Sequence, residues 1–254
     1  MTAAADALVI MRRNLMRFPR SPELLLGYTV QPVMFILLFV YVFGGAIATP
    51  GYADYVDFLI PGILVQTITF GGALTAVGLV EDLNKGLIDR FRSLPMARSA
   101  VLAGRTLADV VVNVGSLAIM VAVGLIVGFS FSASAAEIAA GVGLVLLFGY
   151  AFSWVFALIG LFTSSVEAAQ SLGFMTIFPL TFISSAFVPV DSMPGALEAF
   201  AKANPFTITV DAMRALFVGA PAGDSIWQAV VWSVGLTIVF APLAVFRYRR
   251  VSTR

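Results

Sequence analysis

The sequence of 254 residues contains no cysteine and no histidine, and only 11% of its residues are charged. The absence of cysteine excludes disulfides and thiolate metal sites. The absence of histidine excludes an HExxH zinc site and a Ser–His dyad, and with them the commonest intramembrane protease chemistries. Because a soluble domain carries roughly 25% charged residues, this composition indicates that lipid surrounds much of the chain.

Lysine is also scarce in this chain. The two lysines are Lys85 and Lys202, and neither lies in a GxxxxGK[ST] sequence, so the chain has no P-loop for ATP. Ion-coupled transporters usually place ionisable residues inside their spans, whereas the long apolar runs here hold almost none. Proton or sodium coupling and intramembrane enzyme chemistry are therefore disfavoured. We predict no catalytic residue, no metal site and no cofactor, and any uphill transport would draw its energy from a partner.

Charged residues divide the chain into six long uncharged runs. Each run has at least the roughly 20 residues that a helix needs to cross a hydrocarbon core, and the runs are continuously apolar rather than alternating, which favours helices over a barrel. The sequence thus predicts an all-α, polytopic membrane protein, a single transmembrane domain over residues 1–254. Its six spans are placed at residues 24–53, 58–80, 101–127, 138–166, 168–190 and 225–246.

Basic residues are segregated by this arrangement. Thirteen of the 15 lysines and arginines fall into three groups. One group precedes the first span, one lies between the second and third spans and at the start of the third, and one follows the sixth span. The exceptions are Lys202 and Arg214. Because basic loops stay in the cytoplasm, we predict that both chain ends are cytoplasmic.

Two segments outside the spans are amphipathic. Within residues 1–23, arginines alternate with an apolar stripe at helical spacing, which predicts a helix on the cytoplasmic membrane face that also anchors the topology; the stripe consists of Leu8, Met11, Leu15 and Phe18. Within the outer segment, residues 191–224, two pieces at 193–202 and 207–217 are separated by Asn204 and Pro205. Helices that dip into the outer interface and a structured loop both fit this pattern.

The longest cytoplasmic connection covers residues 81–99. It carries an apolar stripe at three- and four-residue spacing, polar residues of both signs, and Pro95 as a helix stop. A short amphipathic helix of this kind can rest on lipid or dock to another protein, and these residues alone favour neither.

Polar side chains inside the spans are few. Arg105 and Asp109 are four residues apart, so on a helix they share a face, and we interpret them as a structural ion pair at the membrane edge in preference to a transport element. Phenylalanine is abundant, with 22 residues, and we assign it mainly to packing. An apolar or amphipathic substrate fits these runs, although its contact residues stay unknown; the uncharged polar examples are Gln31, Gln66, Thr67, Asn113, Ser153, Thr176, Thr181, Ser184 and Ser185.

Two stretches resemble a known family. The segment KGLIDRFRSLPMARSAVLAGR, residues 85–105, is similar to the segment after the second span of ABC-2 type ATP-binding-cassette permeases. The segment SSAFVPVDSMPGALEAFAKANPFTITVDAMRAL, residues 184–216, is similar to the outer segment before their last span. The resemblance covers essentially the whole chain and is closest to the daunorubicin-resistance-type drug exporter permeases.

The resemblance implies a permease subunit in the inner (plasma) membrane, without an ATPase site of its own. It implies two copies of a cytoplasmic ABC ATPase subunit as partners, a second permease subunit that is identical or homologous, contact with membrane lipid, and no nucleic acid. Residues 81–99 would form the coupling helix that docks to the ATPase, and residues 191–224 would form outer re-entrant helices. Dimer contacts would lie mainly on the first and fifth spans. The contact candidates for the ATPase subunit are Leu83, Leu87, Arg90, Phe91 and Leu94.

Three functions remain open from the sequence. The first is export of an amphipathic drug or lipid-like substrate, driven by ATP hydrolysed in the partner. The second is export of an endogenous lipid or lipid-linked glycan. The third is a non-transporting membrane scaffold that recruits a cytoplasmic protein through residues 81–99.

Overall fold

The computed structural model describes residues 3–16, 22–86 and 98–250. Within these ranges the secondary structure is helical and contains no strand. A π-helix over Phe39–Phe43 continues α2, and a short 3-10 helix over Val190–Ser192 precedes α7. The α-helices are α1 (Ala3–Leu15), α2 (Pro22–Leu38), α3 (Tyr55–Asn84), α4 (Arg98–Ile126), α5 (Ala135–Phe162), α6 (Val166–Phe182), α7 (Gly195–Ala203), α8 (Pro205–Val218) and α9 (Ser225–Arg250).

Four helices in the described ranges, α3, α4, α5 and α9, have the length and apolar composition of a membrane span. They contain 30, 29, 28 and 26 residues, and at about 1.5 Å per residue each exceeds the roughly 30 Å of a hydrocarbon core. The first and fifth predicted spans correspond to α2 and α6, which contain 17 residues each. The fold is that of an all-helical, multi-pass membrane protein, and six spans with both ends cytoplasmic stay a prediction.

Local sequence determines where several helices begin and end. Ser134 starts α5 with a capping box: its hydroxyl accepts the backbone N–H of Glu137, whose carboxylate accepts the backbone N–H of Ser134. Asn204 separates α7 from α8 and caps α8 by accepting the backbone N–H of Phe206. Gly219 follows α8 with a φ of 70°, a conformation that glycine adopts at little cost.

The central helix of the bundle is α3. It packs against α2, α4, α5, α6 and α8, and most of its residues are buried. Glycines permit close approach at two of these contacts: Gly62 of α3 lies against the Ala186 carbonyl, and Gly160 of α5 lies against the backbone of Ala76. A Cβ at either glycine would overlap that backbone.

The bundle has two distinct ends. At the α1 end, α1 packs on the start of α4, and an apolar cluster brings together Leu79 of α3, Leu102 of α4, Trp154 of α5 and Tyr248 of α9. At the opposite end, which we call the α8 end, the larger apolar cluster includes the first turn of α3 and most of α8. Each long helix therefore runs from one end to the other.

The face that α1 buries differs from the apolar stripe that the sequence predicts. Leu8 is exposed, and Phe18 lies outside the described residues. The reason is the shape of α4: Gly104 has no side chain where the Ala7 carbonyl and the Ile10 side chain approach it, so the narrow face of α1 fits there. The buried residues of α1 are Asp6, Ala7, Ile10 and Asn14.

Arg214 of α8 is a buried charge at the α8 end, with only 2% of its side chain exposed. Its Nε donates to the Phe58 carbonyl at 3.0 Å, and its Nη2 donates to the Ser185 carbonyl at 2.6 Å. Its Nη1 donates to the Asp211 carboxylate at 2.8 Å. The guanidinium carbon also lies 3.6 Å from the ring centre of Phe58. These contacts join α8 to the first turn of α3 and to the loop after α6.

Two tyrosines support the same junction. The Tyr55 hydroxyl donates to the Phe187 carbonyl at 3.0 Å, which fastens the loop after α6 to α3. The Tyr52 ring centre lies 5.9 Å from the Arg214 guanidinium. The Tyr52 ring therefore faces the buried cation.

Arg214→Met is expected to destabilise the fold. The change removes the hydrogen bonds that Arg214 donates to the Phe58 and Ser185 carbonyls, and a hydrogen bond from a charged group contributes about 1.5–3 kcal/mol. The apparent Tm of the purified protein in detergent should fall by roughly 2–4 °C for each kcal/mol lost. Arg249→Met removes an exposed arginine of α9 and serves as the matched control. Equal Tm values for Arg214→Met and the wild type would contradict this role.

Candidate functional site

A cleft of about 220 Å³ runs along α3 between α2 and α6. The central helix forms its floor, and the two shorter helices form its walls. The lining residues are Gln31, Pro32 and Phe35 of α2; Gln66, Thr67, Phe70, Gly71, Ala73, Leu74 and Val77 of α3; and Gln170 and Phe174 of α6.

The described lining residues include polar groups but no ionisable one. Three glutamines and one threonine supply hydrogen bonds, and each amide can both donate and accept. Among them, Gln66 is the most buried, with 7% exposure. A mainly apolar pocket with a few convergent polar groups is the usual form of a small-molecule site. The cleft therefore fits a molecule with an apolar body and a few hydrogen-bonding groups.

The sequence anticipates part of this site. Gln31, Gln66 and Thr67 are among the polar residues recognised within the spans, and the structure brings them together here. The sequence does not single out Gln170. It lies in the second turn of α6, close to Glu167, and polar residues are common near the start of a helix, so its presence there does not indicate a site. Other polar span residues lie elsewhere, such as Asn113, which donates to the Ile68 carbonyl at 3.5 Å on the side of α3 that faces α4.

The expected ion pair between Arg105 and Asp109 is wrong. In the structure Asp109 accepts a hydrogen bond from the Thr75 hydroxyl, and Arg105 pairs with Asp82 at 2.9 Å. Both residues face α3, and each has a hydrogen-bonding partner on that helix. Gly78 makes this possible, because a side chain there would overlap the Arg105 guanidinium.

Asp82 is the centre of an ionic cluster at the α1 end. Its Oδ2 accepts from Arg105 Nη1 at 2.9 Å and from Arg13 Nη2 at 3.0 Å. The three residues belong to α3, α4 and α1. Their side chains are 5%, 11% and 31% exposed, respectively, so the carboxylate is buried between its two partners. The sequence gives no sign of this cluster, because the three residues are up to 92 positions apart.

Of the candidate contacts for an ATPase subunit, one lies within the described residues. Leu83 is in the last turn of α3, half-buried against the apolar cluster that contains Leu79 and Tyr248. The helix continues to Asn84, and Gly86 follows with a φ of 66°. The first residues of the 81–99 segment thus extend α3. The other candidates, Leu87, Arg90, Phe91 and Leu94, lie outside the described residues.

Comparison with known proteins identifies the lineage of this helical bundle. Residues 6–218 match the model of the ABC-2 type transporter family. The daunorubicin resistance ABC transporter permease DrrB1 of Streptomyces coeruleorubidus is 35% identical over 98% of this chain and 87% of its own length. A probable doxorubicin resistance ABC transporter permease, DrrC of Mycobacterium tuberculosis, is 25% identical over 98% of this chain and 90% of its own length.

These matches agree with the features of the structure. Members of the family are multi-pass membrane permeases, they function with a cytoplasmic ABC ATPase, and they lack the ATPase cassette themselves. The present chain has several apolar helices of membrane length and no P-loop sequence. The chain belongs to the ABC-2 type transporter family of membrane permeases.

Proposed function

We propose that the chain is the membrane-spanning subunit of an exporter that moves an amphipathic drug or lipid-like molecule out of the cytoplasm. ATP is hydrolysed by a separate partner subunit. In this proposal the chain spans the plasma membrane six times, with the α1 end in the cytoplasm and the α8 end outside.

The uncharged cleft on α3 is the observation that carries this proposal. Its three amides and its phenylalanines suit an amphipathic cargo, and its floor is the one helix that contacts most of the bundle. A change in the position of α3 would therefore alter the cleft. The names of the two relatives, which refer to daunorubicin and doxorubicin resistance, support a drug-like cargo.

A second permease subunit would complete the cleft. The two helices that flank it present apolar side chains outward. Exposed apolar surface of this extent suits lipid or another protein, and its position on both sides of the cleft favours a partner permease that closes a shared cavity. The exposed residues include Met34, Leu38, Tyr41 and Val42 of α2 with its π-helix, and Leu172, Met175 and Phe178 of α6.

The ATPase subunits, two copies in the assembled exporter, would dock at residues 81–99. The first four residues of this segment, 81–84, belong to α3, which connects the segment to the floor of the cleft. Export then requires two arrangements of the permease pair that differ in the side to which the cavity opens, with ATP binding favouring one of them.

Leu87→Asp combined with Phe91→Asp is expected to release the ATPase subunit. Burying a carboxylate in an apolar contact opposes docking, and a single hot-spot residue contributes about 2 kcal/mol or more. Co-purification in detergent with the ATPase encoded beside the permease measures the effect. The control is Leu197→Asp combined with Phe200→Asp, which alters two exposed residues of α7 at the same kind of spacing.

The possible results of this experiment separate the hypotheses. Loss of the complex only in the first variant, with that variant still inserted in the membrane, supports docking at residues 81–99. An unchanged complex removes this segment as the main docking site. No complex even with the wild type favours a scaffold or another partner.

Gln66→Leu is expected to weaken export without affecting assembly. The change keeps the size of the side chain and removes the most buried hydrogen-bonding group of the cleft. A hydrogen bond from this group to the cargo contributes about 1–3 kcal/mol, so the concentration for half-maximal export should rise by about 5- to 150-fold. Doxorubicin uptake into inside-out vesicles measures this. Gln228→Leu, on α9 and outside the cleft lining, is the control. Equal export by Gln66→Leu and wild type would argue against a cargo contact.

A further inference from the structure

In the ionic cluster at the α1 end, one oxygen atom of Asp82 contacts arginines of two other helices. Asp82 Oδ2 is 3.0 Å from a guanidinium nitrogen of Arg13 and 2.9 Å from one of Arg105. Two cations are thereby held against one carboxylate. Without the negative charge, the two guanidinium groups would repel each other in a partly desolvated setting, where like charges are costly. Asp82 therefore stabilises the contact between α1, α3 and α4.

The surrounding backbone is shaped for this arrangement. Gly78, one turn before Asp82, leaves the space that the Arg105 guanidinium occupies. Gly104, next to Arg105, lets the backbone of α1 approach α4 at Ala7. Both glycines lie inside helices, where glycine costs roughly 0.5–1 kcal/mol relative to alanine, so close packing of the three helices offsets an intrinsic disadvantage.

The same cluster includes residues at both ends of the segment that is proposed to dock the ATPase. Asp82 is two residues before the end of α3, and Arg105 is in the second turn of α4. Residues 87–97 connect these two helices. A displacement of that connection thus reaches Asp82 and Arg105 first, and through Arg13 it reaches α1.

Helix α3 then connects the cluster with the cleft. Val77, the cleft residue nearest to this end, is five residues before Asp82, which is about 7.5 Å along the helix axis. The helix is continuous from Tyr55 to Asn84 and is held at the α8 end by the bond from Arg214 to the Phe58 carbonyl. Movement at the cluster can therefore reach the floor of the cleft through one continuous helix whose far end is bonded to Arg214.

We propose that Asp82 is a positioning residue for transport, which locks α1, α3 and α4 into one unit so that movement of the ATPase is transmitted to the cleft. This inference rests on the proposed function. Asp82 does not contact cargo or ATP in this proposal. It acts through the two arginines, and its loss uncouples ATP hydrolysis from export while the subunits stay assembled.

Asp82→Asn tests this directly. The variant and its ATPase subunit are purified together and reconstituted into vesicles, and ATP hydrolysis and doxorubicin export are measured in parallel. We expect the complex to be recovered and to hydrolyse ATP, with export reduced about tenfold relative to hydrolysis, a size typical of coupling between sites. Glu198→Gln makes the same acid-to-amide change in an exposed pair with Lys202 at the other end of the bundle and should leave the ratio unchanged.

A second variant tests whether Asp82 affects export through the ionic cluster. Arg13→Gln removes the more exposed partner and leaves the pair between Asp82 and Arg105. If both residues act through one cluster, the double variant Arg13→Gln/Asp82→Asn exports no less than Asp82→Asn alone, because coupled residues are not additive. Losses that multiply would overturn the proposal. If Asp82→Asn is not inserted in the membrane, Arg13→Gln alone decides: lowered export per ATP supports the proposal, and an unchanged ratio overturns it.

The remaining results are also decisive. An unchanged ratio of export to hydrolysis in Asp82→Asn overturns the proposal. Loss of the complex in Asp82→Asn, with the wild-type complex intact, overturns it as well, because Asp82 would then belong to the docking surface. A wild-type complex that hydrolyses no ATP and exports no doxorubicin removes the proposed function itself, and the positioning role with it.

Discussion

A bilayer offers no hydrogen bonds, so each polar group inside a helical bundle must find its partner within the protein. In this chain three charged groups find those partners on one helix. Arg214 donates to a carbonyl of the first turn of α3, Asp109 accepts from Thr75 near its middle, and Arg105 pairs with Asp82 in its last turn. Helix α3, which forms the floor of the cleft, is thereby bonded to its neighbours near both ends and between them.

The sequence predicts where most helices lie because their cause is local: long apolar runs, glycines and prolines at their ends, and caps such as Ser134 act within a few residues. The observed helices overlap the predicted spans, although α2 with its π-helix ends at Phe43 and α6 at Phe182, before the predicted ends at residues 53 and 190. The break at Asn204 is of the same kind: an asparagine before a proline ends one helix and caps the next. The family resemblance, read from residues 85–105 and 184–216, agrees with the matched family and with both relatives.

The contacts between helices are not predictable in the same way. Periodicity tells which face of a helix a residue occupies, but not which neighbour that face meets. Arg105 and Asp109 share a face as expected, and yet each bonds to α3, where Gly78 leaves room for the Arg105 guanidinium. Likewise, α1 is helical, but its buried face is decided by a glycine of α4. The cleft contains residues of both kinds. Gln66 and Thr67 can be recognised in the sequence as polar residues within an apolar run, whereas Gln170 can be recognised as a cleft residue only from its position opposite α2.

The outer segment has a consequence for how the protein reaches its membrane orientation. Its two basic residues each have an acidic partner on their own helix, Lys202 with Glu198 and Arg214 with Asp211, and residues 191–224 contain four acids and two bases in all. The segment therefore carries a net charge of −2 at neutral pH. A membrane potential that is negative inside contributes about 2.3 kcal/mol per charge for each 100 mV, and for this segment the contribution favours movement outward. In the proposed orientation the potential thus assists translocation of this segment, even though the segment contains the arginine that the folded protein buries.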